Sequence, residues 1–436
     1  MNGRLRHLYR QWKSTTWLSL LFQLTKFFFQ LRLPIFTSRR PAFPELPVEI
    51  LSEIFQFATY LPESESFMPL DPFTPQITSI SALGPNTAIS ALRTKSSIVL
   101  VCREWWNIAT PVLYRHLAVR SPQRALQILS ALEPHSRAPE AATSLIPFPT
   151  NYGQHTRYLE VYTHSRGCDT LGYLKLVCQI IQYCPNLRNI RGCWRYRLPP
   201  GFLDFISRMC GPTLQGISWV AESRFPEITN FFGSFQSLRV LDVSGNMFEE
   251  GHSPSKGFFV LPLVHDLIVS TRTESLLLAS SISMPNLHKL VLRVTLESTT
   301  SLSNNMAAFL NDIRTFLNVN GAPLRTLHII TPLDFHRPFL VCMSLETVVF
   351  NVNFTPKFQH PSVRRVGLYG VILGPEKFDN KNTISCLRTL AHSHGSSPDD
   401  FIHWSEKFER QGVDFQDGAG VVWLYTEVQD EGGSSV

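Results

Sequence analysis

The chain has 436 residues and a mass of 49.6 kDa, long enough for two or three domains or one extended repeat array. With 44% apolar and only 17% charged residues it can bury a sizeable core, which excludes a disordered, highly solvated chain. The +6 balance sits in residues 1–44, which hold eight Lys/Arg and no Asp or Glu, so the remaining 32 basic against 34 acidic residues exclude a general nucleic-acid-binding composition.

The leader, residues 1–42, is basic and amphipathic. Residues 16–33 are mostly apolar, and Thr16, Ser19, Gln23, Lys26 and Gln30 draw one polar stripe on a helix. Lys26 and Arg32 interrupt the run and Pro34 stops it, so it falls short of the roughly 20 uncharged residues of a membrane span. Three readings fit: a helix lying on a membrane surface, a mitochondrial transit segment, or an extension that packs on the body or stays mobile. No small-residue cleavage site follows the run, which argues against a secretory signal.

Residues 43–59 place Leu46, Ile50, Leu51, Ile54, Phe55 and Ala58 at helical spacing, with Pro47 near the first turn. Residues 60–96, rich in Pro, Ser and Thr and holding Gly84, read as a long loop. Beyond it, Ile98, Val101, Trp105 and Ile108 mark one helical face. Pro111 is expected to break that helix and open a short second one with Leu113, Tyr114 and Leu117.

These pieces resemble the F-box, in particular the F-box-like proteins of basidiomycete fungi. The resemblance rests on Leu46-Pro47, Glu49-Ile50-Leu51, Ile54-Phe55, Val101-Cys102-Arg103, Trp105 and Leu113-Tyr114. It spans residues 43–119, with 60–96 an insertion the family pattern lacks. It implies binding to the Skp adaptor, and through it to a cullin, as a non-catalytic subunit of an SCF ubiquitin ligase. The implied adaptor contacts are Leu46, Pro47, Ile50, Leu51, Ile54, Phe55, Val101, Cys102 and Trp105, apolar side chains suited to a groove, although some must form the module's own core.

From residue 150 a frame of apolar residues, LxxLxL, recurs. It is clearest at Leu238, Leu241 and Val243 with Asn246, which fits the leucine-rich-repeat pattern. Frames starting between Thr156 and Val363 are spaced 18 to 37 residues apart, an irregular array. Residues 171–182 and 306–317 read as helices between frames. One repeat cannot bury its own apolar face, so neighbours must stack. The alternative is an ordinary α/β domain with several Leu-rich strands. The expected fold is therefore α+β and multi-part: a small all-α helical module, then an irregular α/β solenoid over 150–374. Residues 375–436 form a C-terminal cap, with a closing hairpin around Asp417-Gly418 and a frayed tail.

The positions between the apolar frame residues form the expected substrate face: Arg239, Asp242, His288, Lys289, Arg325, His328, Glu346, Arg364, Arg365 and Tyr369. Their mixed charge points to a protein partner, not to nucleic acid. No nucleophile elbow, phosphate loop, dinucleotide fingerprint or HExxH motif occurs, so no enzyme activity, cofactor or metal is expected. His164 with Cys168, Cys178 and Cys184, and His392-Ser393-His394 with His403, lack the tight pairing of zinc ligands. Eight scattered cysteines without a CxxC pair fit reduced thiols in a cytoplasmic or nuclear protein.

Overall fold

The computed structural model describes residues 46–60, 67–68, 87–133, 151–163, 170–194, 196–223, 230–245, 247–248, 259–293, 299–330, 339, 341–350, 360–368, 389–392 and 414–417. The leader, most of the 60–96 segment, His164, Cys168, Tyr369 and the expected second hairpin strand at 421–425 lie outside them. The chain divides into two compact units, residues 1–51 and 52–436, with the boundary inside the first helix.

That helix, α1, spans Val48–Ala58. Glu49 in its first turn suits the positive end of the helix dipole. At the other end Thr59 Oγ1 donates to the Phe55 carbonyl at 2.8 Å. The expected 60–96 loop is corrected at its C-terminal end, because Ala88–Val99 form a second helix, α2. Thr87 caps it: Thr87 Oγ1 accepts from Ser90 N–H at 3.1 Å, and Ser90 Oγ accepts from Thr87 N–H at 2.8 Å. Such reciprocal capping satisfies two otherwise orphaned donors. The helix buries Ala91, Lys95 and Ile98 on one side. Those residues carry little apolar surface, which is why the segment reads as a loop.

The third helix, α3, runs Arg103–Tyr114 through Pro111 without a break, correcting the expected interruption. Proline removes the hydrogen bond to the carbonyl four residues earlier. Here Pro111 and Asn107 are both exposed, so water can satisfy the freed carbonyl. Leu117, expected in a helix, lies in a strand instead.

His116–Val119 (β1) opens a sheet of twelve strands, all parallel and all in chain order. The others are Tyr158–Tyr162 (β2), Asn189–Cys193 (β3), Gly216–Val220 (β4), Val240–Asp242 (β5), Asp266–Ser270 (β6), Lys289–Arg293 (β7), Thr326–Ile330 (β8), Thr347–Phe350 (β9), Arg365–Leu368 (β10), Thr389–His392 (β11) and Asp414–Asp417 (β12). Each frame between Thr156 and Val363 supplies one of β2–β10. The sheet continues past residue 374 through β11 and β12. β12 pairs parallel with β11, and the expected hairpin partner at 421–425 lies outside the described residues.

Register explains the frame. Leu117, Leu159, Ile190, Ile217, Leu241, Leu267, Leu290, Leu327, Val348 and Val366 lie directly beside one another across ten strands. A residue two places on returns to the same side of a strand. Val161, Trp219, Val269, Leu292 and Ile329 therefore join the same buried layer. Gly192 takes that slot on β3, where an added Cβ would collide with the Trp194 and Trp219 rings. Their centroids are 5.6 Å apart.

Helices Pro122–Leu132 (α4), Thr170–Tyr183 (α5), Pro200–Cys210 (α6), Thr273–Ser280 (α7) and Thr299–Asn320 (α8) connect successive strands. They pack on this layer through Ile128, Val177, Ile180, Ile206, Leu276, Ile313 and Phe316. The residue before the first frame leucine ties repeats together. Asn186 Nδ2 donates to the Gln154 carbonyl at 2.9 Å, and Asn286 Nδ2 to that of Pro262 at 2.7 Å. This accounts for the two Pro-Asn-Leu triplets.

Candidate functional site

The residues implied as adaptor contacts divide by exposure. Leu46 (53% exposed), Pro47, Ile50, Ile54 (47%) and Val101 (58%) are open to solvent, whereas Leu51 and Trp105 are half-buried. Phe55 is only 2% exposed and packs on Trp105 with ring centroids 4.9 Å apart. It belongs to the interior in this structure. Cys102 is exposed, but its sulfur caps α3, accepting from Trp105 N–H at 3.5 Å. The expected single face of Ile98, Val101, Trp105 and Ile108 is corrected as well. Ile98 is buried, while Leu100 and Val101 project from the turn between α2 and α3. The only sequence signal at Leu100 is an apolar residue off the helical face.

The sheet has a second face, opposite the helices. Glu160, Arg191, Ser218, Asp242, Ile268, Val291 and His328 stand side by side there on β2–β8. Asp242 and His328 lie on it as expected, but both are buried, at 4% and 1% exposed, and offer nothing to a partner in this state. Lys289 is half-buried. Arg239, His288, Arg325, Glu346, Arg364 and Arg365 are exposed.

These exposed residues are not scattered. Arg239, His288, Arg325, Glu346 and Arg364 each precede a strand, and their backbones interlock. The Arg239 carbonyl accepts from His265 and Asp266 N–H, and the His265 carbonyl from His288 and Lys289 N–H. The pattern continues through His288, Arg325 and Glu346 to Arg364, with every bond between 2.8 and 3.2 Å. Arg115, Arg157, Arg188 and Gln215 extend the same column at its start. Adjacent members sit one strand spacing, about 4.8 Å, apart. The result is a row along one end of the strands with six arginines and one glutamate. The Arg157 guanidinium donates to the backbone carbonyls of Gln154 (3.1 Å) and Asn186 (3.2 Å). Burial, then the charges of Arg188 and Arg115, lower its pKa. Of this row, the expected substrate face includes Arg239, His288, Arg325, Glu346 and Arg364 but not His265. Arg115, Arg157 and Arg188 occupy the same slot ahead of weaker frames.

Two charged clusters hold the second face. Glu160 lies 3.7 Å from Arg191 Nη1, 3.9 Å from Arg120 Nη2 and 3.7 Å from His116 Nε2, distances for ion pairs and not hydrogen bonds. Burial pushes its pKa up, but His116, Arg191 and Arg120 together hold the carboxyl below its ordinary range. Asp242 accepts from Ser218 Oγ at 2.9 Å and Ser244 Oγ at 2.6 Å, and pairs with Arg293 at 3.5 Å. Neither ring nitrogen of His328 has a hydrogen-bond partner among the described residues. Burial, then Lys289 and Arg293, push this imidazole down to about 3, so it is neutral at pH 7.

Burial raises the Cys184 thiol to about 11 and those of Cys210 and Cys342 to about 12, leaving them protonated and poor nucleophiles. Among the described residues no group of three or more His, Cys, Asp or Glu could hold a metal, and no helix is long and apolar enough to cross a membrane.

No known family profile matches the chain, and no curated protein does. Among solved structures, the chain is similar to a protein from Bacteroides fragilis, with 16% identity over 55% of this chain and 68% of that one, TM-score 0.32. It is also similar to a chain of the yeast Rad7 and Elc1 complex, with 10% identity over 86% of this chain and 97% of that one, TM-score 0.26. Both scores are too low to carry an argument about fold or function.

Proposed function

We propose that the chain is the substrate-receptor subunit of an SCF-type cullin ubiquitin ligase. In this reading the F-box-like residues bind the Skp adaptor and a leucine-rich-repeat array holds a protein substrate. The observation that carries it is the exposure of Ile54 on α1 and of Leu100 and Val101 on the turn between α2 and α3, beside helices that keep Phe55 and Trp105 for their own core. Exposed apolar side chains of this kind are what an adaptor groove takes up. The role is scaffolding: the receptor raises the local concentration of substrate beside a ubiquitin-loaded enzyme and supplies no catalytic group.

The substrate-side surface is the arginine row at the ends of the strands, which suits a partner segment bearing acidic residues. A pull-down of the full chain with purified Skp adaptor tests the proposal. Binding of the wild type that is lost in Ile54→Asp/Val101→Asp, with helical content unchanged, supports it. Absence of wild-type binding overturns it and leaves an interaction protein without ligase function. A reporter fused to residues 1–44 tests for membrane-surface or mitochondrial targeting by the leader.

A further inference from the structure

The second face of the sheet changes character between β4 and β7. Its neighbours in the row, Asp242 and His328, are polar, yet Ile268 and Val291 lie side by side, both fully buried. What covers them is a piece of the chain's own insertion. Phe67 and Met68 pack on Tyr158, Val240, Ile268 and Val291. The Phe67 ring sits 5.5 Å from that of Tyr158. It also lies directly over Gly216, where an added Cβ would come within 2.8 Å of Phe67 Cε2. The absence of a side chain at Gly216 leaves room for the ring. Arg293 Nη2 donates to the Phe67 carbonyl at 3.4 Å, while its Nη1 is held by Asp242.

We infer that this patch is a recognition pocket for an aromatic side chain carried by an extended segment of a protein partner, and that Phe67 occupies it in cis. Tyr158, Ile268 and Val291 supply an apolar floor and a ring for an aromatic anchor. Arg293, preset by Asp242, takes the anchor's backbone carbonyl, which any extended segment presents. The bond to Phe67 is at the long end of the hydrogen-bonding range, so it orients the segment and contributes little holding energy. Phe67 belongs to the same chain, so a partner segment competes against an effective concentration on the order of millimolar or less. A partner segment with an aromatic residue therefore competes on comparable terms. The pocket is independent of adaptor binding, and its failure would leave the ligase reading intact.

The test uses the full chain and a fluorescent synthetic peptide with the sequence of residues 63–72, read by anisotropy. Phe67→Ala vacates the pocket in cis. The peptide is expected to bind this variant at least about tenfold more tightly than wild type. The same peptide with alanine in place of its phenylalanine is expected not to bind. If the Phe67→Ala protein keeps its circular dichroism spectrum and melting temperature yet binds the peptide no better than wild type, the pocket is not a recognition site. If Phe67→Ala fails to fold, Phe67 is a permanent part of the core, and the inference is overturned equally. Retained binding by the alanine peptide would also overturn it, because the aromatic anchor would then be dispensable.

Discussion

Glu160 on β2 faces Arg191 on β3 at 3.7 Å, on the face of the sheet opposite helices α4–α8. The pair sits in one row with Ser218 and Asp242, so β2–β5 present polar or charged residues on that face, and β6 and β7 present apolar ones before His328 on β8. This arrangement has consequences for stability as well as recognition.

The fold holds the Glu160 carboxyl below its ordinary range. A group depressed in this way contributes stability that is present above the unfolded-state pKa, about 4.3, and is lost as pH falls through the folded value. Wild type should therefore destabilise more steeply than Glu160→Gln below about pH 5 in urea titrations. Parallel curves for the two proteins would show that the cluster contributes nothing in the folded state.

His328 titrates in a different window. Its folded value of about 3 lies below the ordinary value of 6.5, so between the two the unfolded chain takes up a proton that the native state refuses. Stability falls as pH drops through that window, by up to about 1.4 kcal/mol per pH unit. His328→Phe should flatten the pH dependence of the urea midpoint between pH 6 and 4. An unchanged slope would place the ring in contact with water.

Phe55 and Ile54 are adjacent in sequence and opposite in role. Phe55→Ala removes a buried ring from against Trp105 and should cost about 3–5 kcal/mol of stability. Ile54→Asp, on the exposed side, should leave the melting temperature within a few degrees while weakening adaptor binding about tenfold or more. Calorimetry and adaptor titration together separate the two effects. The reverse pattern would mean that the helix presents its other face.

The arginine row should behave as an electrostatic unit. Reversing Arg188, Arg239 and Arg325 to Glu together should weaken binding of a deca-glutamate peptide about tenfold at low salt, with little effect at 0.5 M salt. Insensitivity of peptide binding to the reversals would locate the acidic ligand elsewhere.

The centre of the apolar ladder offers a stability test. Leu241→Ala should cost about 2–5 kcal/mol, because Ile217 and Leu267 flank it in register and cannot collapse into the space. A loss under 1 kcal/mol in chemical denaturation would indicate a looser core than the complete burial of Leu241 implies.

The parallel strands were legible in the amino-acid sequence because each strand must place two apolar residues, two positions apart, on one buried layer. Leu238, Leu241 and Val243 display that constraint, as do Leu287, Leu290 and Leu292. The α5 and α8 helices were legible for the same reason at helical spacing. Contacts whose partners are distant in the chain were not. Nothing local distinguishes Phe55 from Ile54, since the Trp105 ring that covers Phe55 lies 50 positions on. Nothing local aligns Arg115, Arg157 and Arg188 with Arg239, because their side-by-side placement follows from strand register. Nor does a residue's own sequence neighbourhood show that Gly216 makes room for Phe67, about 150 positions earlier. Periodicity determined which residues are buried beneath the helices; only tertiary packing decided what covers the other face of the sheet, because that burial depends on a segment brought in from elsewhere in the chain.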